Sequence, residues 1–145
     1  MKKRKITLIE VIIGLTILSI FSTIIGVNVK KSLSTYKLNC IYNQIQTNLI
    51  FAKRMSIFSK TDIFFKIYKK NNFYFLCVAK NSDNMEFINK KLDSFYLKVN
   101  GNYTENLEIL VINGKEVYPN IEMDISLDST FLNKKKIIIN ENYFK

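Results

Sequence analysis

Residues 6–27 read ITLIEVIIGLTILSIFSTIIGV, and Glu10 is the one ionisable side chain among them. As a helix rising about 1.5 Å per residue, the run is about 33 Å long, against about 30 Å for the hydrocarbon core of a bilayer. It is long enough to cross a membrane. Lys2, Lys3, Arg4 and Lys5 stand directly before it, and basic residues beside a first span tend to stay cytoplasmic. That predicts a single-pass anchor in the cytoplasmic membrane with the C-terminal domain outside. Lys30, Lys31 and Lys37 follow the span and weaken this asymmetry without reversing it. The run exceeds the usual apolar region of a cleaved signal peptide, and no small-x-small site stands out near its end, so the segment is expected to stay attached.

Outward from the span, polarity rises without a breaker, since no Pro or Gly interrupts residues 27–59. Leu38, Ile41, Ile45, Leu49, Ala52 and Met55 recur at three- and four-residue spacing, with Lys37, Asn39, Gln44, Asn48 and Lys53 on other faces. This is the pattern of a one-sided helix. Beyond residue 60 the signals turn to β. Residues 63–68 and 73–79 are aromatic and β-branched, with Lys69-Lys70-Asn71-Asn72 as the connection. Residues 95–99, 107–112 and 137–139 are further predicted strands, and Asn100-Gly101 and Asn113-Gly114 are turn dipeptides. Residues 132–136 read as an exposed turn before the last strand. The expected fold class is α+β, a long N-terminal helix packed on a C-terminal antiparallel β-sheet. Its segments are a basic leader over 1–5, a membrane-spanning helix over 6–27, an amphipathic continuation over 28–59 and an antiparallel β domain over 60–145.

The 145 residues have room for one modest domain beside the span. Formal net charge is +10, and without the four basic leader residues it is +6, from eighteen basic and twelve acidic side chains. Such a balance favours polyanions or simply a solvated surface. Histidine is absent, which removes the commonest general base and metal ligand. Acidic residues such as Asp83, Glu86, Asp93, Glu105 and Glu116 are scattered without metal-ligand spacing, and Asp124 and Asp128 read as strand-end residues. No Gly-rich phosphate loop or nucleophile elbow occurs. A non-enzymatic chain with no cofactor and no metal is expected. Cys40 and Cys77 either pair outside the cytoplasm or are buried as small hydrophobes.

A carboxylate near the start of an apolar span costs at least about 2–3 kcal/mol, so it normally has a partner and a role. Residues 5–11 read Lys-Ile-Thr-Leu-Ile-Glu-Val. With the apolar helix behind them they resemble the N-terminal motif of type IV pilins and pseudopilins. In that family a basic leader and a glycine precede a phenylalanine-type residue and then Thr-Leu-Ile-Glu. The resemblance implies cleavage by a prepilin peptidase between Lys5 and Ile6, N-methylation of Ile6, and pairing of Glu10 with the terminal amine of a neighbouring subunit. Thr7, Leu8 and Ile9 complete the assembly motif. Lys5 stands where the family has glycine, Ile6 replaces phenylalanine, and the proline that many pilins carry in this helix is missing. Residues 44–78 are loosely similar to the minor-pseudopilin subgroup of the GspH and FimT types and the ComGD competence subunit.

The function expected on this resemblance is that of a minor subunit in a type II secretion, type IV pilus or competence DNA-uptake machine. Its partners would be other subunits, the prepilin peptidase, an inner-membrane assembly platform and membrane lipid. Two alternatives stand beside it. One is an unprocessed single-span anchor for a β domain. The other adds DNA contact by the basic outer domain through Lys69, Lys70, Lys134, Lys135 and Lys136, with Tyr68, Phe73 and Tyr74 available for stacking.

Overall fold

A computed structural model describes residues 7–80, 85–112 and 116–140. The basic leader, the Lys5–Ile6 bond and the Asn113-Gly114 turn lie outside the described residues. One α-helix, α1 (Leu8–Ser59), runs for 52 residues. Proline is absent from it, and Gly14 and Gly26 are its residues of lowest helix propensity. It ends where Lys60 takes a left-handed backbone, φ 52°, the conformation that commonly closes a helix.

The chain divides into two compact units, one up to Tyr36 and one from Lys37 onward. In the first, every described side chain from Thr7 to Leu33 is exposed. In the second, the 3.6-residue repeat buries Leu38, Ile41, Ile45, Leu49 and Ala52, as their spacing predicts, and adds Ser56. The Ser56 hydroxyl lies 2.9 Å from the Thr61 carbonyl and 3.1 Å from that of Val111, so the buried hydroxyl has acceptors at the helix end.

Among the described residues nine strands follow α1: β1 (Ile63–Lys70), β2 (Phe73–Lys80), β3 (Glu86–Lys91), β4 (Tyr96–Val99), β5 (Asn102–Tyr103), β6 (Asn106–Ile112), β7 (Glu116–Tyr118), β8 (Ile121–Ser126) and β9 (Lys134–Ile139). They form two antiparallel sheets where the sequence reading expected one. The first has the order β3-β2-β1-β6-β7 and the second β5-β4-β8-β9. Four strands are additions to that reading. The edge strand β3, EFINKK, has too many exposed positions to alternate cleanly. β5 and β7 are two and three residues long. β8, IEMDIS, does alternate apolar and polar residues and was legible in principle.

Two further expectations are corrected. β1 and β2 extend through Lys70 and from Phe73, so the hairpin turn is only Asn71-Asn72, both at positive φ (50° and 63°). That geometry suits the right-handed twist of the flanking strands. Lys134, Lys135 and Lys136 lie within β9 and not in a turn, because they continue the pairing with β8 opposite Ser126, Ile125 and Asp124. Asp124 accordingly sits inside β8, not at its end. The Asn100-Gly101 turn is present between β4 and β5, at φ 50° and 83°.

Strand alternation sends one face of each sheet inward. Ile63, Phe65 and Ile67 of β1, Leu76 and Val78 of β2, and Ile109 and Val111 of β6 come from the first sheet. Leu97, Met123, Ile125, Ile137 and Ile139 come from the second. With the apolar face of α1 from Leu38 to Ala52 they make one core cluster. Each such fully buried side chain contributes about 1.5–3 kcal/mol. The α+β class, a long helix packed on antiparallel β-sheet, is what the structure has.

Candidate functional site

The start of α1 is built by Thr7 and Glu10. The Glu10 carboxylate accepts from the Thr7 backbone N–H at 2.8 Å and from the Thr7 hydroxyl at 3.0 Å. In return the Glu10 backbone N–H reaches the Thr7 Oγ1 at 3.4 Å. This is a reciprocal capping box, with Thr7 as N-cap and Glu10 three residues into the helix. The T-x-x-E spacing was its signal in the sequence. Leu8 and Ile9, between the two, are exposed, at 79% and 65%. The four residues thus present a carboxylate and two apolar side chains at the end of a bare apolar helix.

The lysines considered for polyanion contact separate into different environments. Lys69 Nζ is 2.7 Å from Glu105, and that hydrogen bond raises its pKa. Lys134 Nζ is 2.7 Å from Asp124, whose side chain is only 11% exposed. Lys136 pairs with Glu122, which likewise raises its pKa. Lys135 lies 5.7 Å from the Tyr42 ring centroid, against the helix. Lys70 has no carboxylate partner among the described residues and lies on the outward face of the first sheet.

On that face the register sets Lys70 beside Phe73, and Tyr68 beside Phe75 and then Lys91. Tyr68 and Phe75 stack with centroids 5.6 Å apart at 15°, and Lys91 Nζ sits 3.4 Å from the Phe73 centroid. A shallow cavity of about 400 Å³ opens between these side chains. Tyr74, paired by sequence proximity with this group, instead faces inward, buried, stacking on Phe95 at 4.2 Å and donating to the Thr104 carbonyl at 3.2 Å. Phe75, Asn89 and Lys91 were not singled out in the sequence. β3 carries two of them, and without that strand nothing placed them beside the hairpin.

Cys40 and Cys77 are free. Cys77 is buried, and burial is the first cause pushing its thiol pKa up. Among the described residues no three Cys, Asp or Glu side chains converge on a metal-sized site.

These features define a class, an α+β chain whose one long helix is bare and apolar at its start and covered by antiparallel β-structure at its end. The helix is long and apolar enough to cross a membrane. No family model, curated protein or solved structure matches the chain.

Proposed function

We propose that the chain is a non-enzymatic minor pilin or pseudopilin subunit, anchored in the cytoplasmic membrane with its N-terminus inside and delivered from there into a filament. The observation that carries the reading is the first half of α1. It is an apolar surface exposed along its whole length, with one carboxylate in its first turn. Such a surface needs lipid or other apolar helices around it. A carboxylate entering a helix bundle needs a cation, because pairing offsets much of the desolvation penalty. The amine of a processed Ile6 would supply one, from a neighbouring subunit. The partners are then other subunits, a prepilin peptidase, an assembly platform and lipid.

Glu10 variants test this reading, because the capping box gives Glu10 a local role that must be separated from an intermolecular one. Glutamine also serves at this position of a capping box, so Glu10→Gln keeps the cap and removes the charge. The chain is co-expressed with a prepilin peptidase and partner subunits. Mass spectrometry is expected to show loss of residues 1–5 and a methylated Ile6, and Glu10→Gln is expected to lower incorporation about as much as Glu10→Ala. Lys5→Gly should raise the processed fraction. An intact N-terminus together with unaffected incorporation of both Glu10 variants would leave a plain single-span anchor.

A further inference from the structure

We propose that the outward face of the first sheet is a binding platform for single-stranded nucleic acid, with bases stacking in the recess formed by Tyr68, Phe73 and Phe75 and phosphates held by Lys70 and Lys91. The strands carry these residues in register, Lys70 opposite Phe73, and Tyr68, Phe75 and Lys91 in the next row. Rows on one face repeat every second residue, about 6.7 Å along a strand. Rings and ammonium groups therefore alternate across a face open to solvent.

The chemistry favours one occupant. No carboxylate lines the cavity, and among the described residues neither Lys70 nor Lys91 has an acidic partner. The four ion pairs among the described residues use Lys66, Lys69, Lys134 and Lys136. Two cations are thus left unneutralised on a chain of formal charge +10. Phe73 is 37% exposed even with Lys91 over its ring, and at the rim the Asn89 amide nitrogen donates to Glu86 at 2.9 Å while its oxygen is an acceptor. Sugar hydroxyls call for acceptors, and the recess is lined by ammonium donors and rings with no carboxylate. A duplex hides its base faces. An unpaired strand exposes both bases and phosphates, and a basic groove with aromatic rings suits it without sequence preference.

The test uses the detergent-solubilised full chain and a fluorescein-labelled oligothymidylate of about twelve nucleotides, a length within the about 4–16 that an OB fold covers on a single strand. Controls are an abasic oligomer of equal length, a duplex and an anionic polysaccharide. Oligothymidylate is expected to bind roughly tenfold tighter than the abasic strand, a difference that Phe73→Ala removes. Lys70→Gln and Lys91→Gln should each make the salt slope shallower by about 0.7. Lys134→Gln with Lys136→Gln should leave binding unchanged. Equal affinity for the oligothymidylate and its abasic counterpart overturns the proposal on the unmodified chain, whether or not the variants fold. Preference for the duplex or the polysaccharide overturns it as well, as does no binding at low salt. Because the assay reads no filament, its failure leaves the proposed subunit role standing.

Discussion

Glu10 carries two readings that belong to different states of the chain. In the isolated chain its carboxylate closes a capping box on Thr7. In a helix bundle the same oxygens would be the natural partners of a foreign ammonium. The two uses compete for one set of lone pairs, so a subunit entering a filament would exchange a local bond for an intermolecular one. Asp128 shows a carboxylate with a purely local role. It accepts from the Thr130 hydroxyl at 2.7 Å, and that bond, with backbone N–H groups of Thr130, Phe131 and Leu132, holds its pKa below the usual range. A depressed carboxylate stabilises the fold above its unfolded pKa, and the contribution disappears as pH falls through the lower folded value. Asp128→Asn is therefore expected to lower the urea midpoint at pH about 5 but not at pH about 2, well below the ordinary Asp value.

At the scale of elements, β9 shows how pairing redirects charge. Three consecutive lysines read as a solvated turn, yet β8 offers Glu122 and Asp124 on the strand beside them, and the ladder draws the lysines into the sheet. Lys134 serves a carboxylate that is 11% exposed, whereas the Glu122 partner of Lys136 is 46% exposed. Lys134→Met should accordingly destabilise the β domain more than Lys136→Met. The expected values are about 1.5–3 kcal/mol for the first, as for a hydrogen bond to a charged group, and about 0–1 kcal/mol for the second. Denaturant melts of the two variants check the order, and equal costs would contradict it. The hairpin β1–β2 was legible because aromatic and branched residues flank Asn-Asn. β3 and β5 were not, since edge strands need little apolar patterning of their own.

For the whole molecule, the second half of α1 is stabilised by tertiary burial, and the first half has none. Leu49 is fully buried among side chains of the core cluster. Leu49→Ala should cost about 2–5 kcal/mol and lower the midpoint for loss of sheet signal in circular dichroism of the detergent-solubilised chain. The helical signal of the apolar half should persist in urea beyond that midpoint in both proteins, because detergent and not the β domain surrounds it. Coincident loss of helix and sheet would refute this division.

The apolar half of α1, its length and the one-sided pattern after it are properties of consecutive residues, and sequence alone determined them. The same holds for the turn at Asn100-Gly101, where the local backbone demands residues that tolerate positive φ, whereas strand pairing narrowed the expected connection over residues 69–72 to Asn71-Asn72. The tertiary structure decided which strands share a sheet, because pairing joins residues far apart in the chain. That pairing split one expected sheet into two, set Lys134 and Lys136 against Asp124 and Glu122 of β8, and brought Lys69 to Glu105, just before β6. It also brought Lys91 of β3 over Phe73, completing a recess in which Lys70 and Lys91 stand beside Tyr68, Phe73 and Phe75 with no carboxylate in its lining.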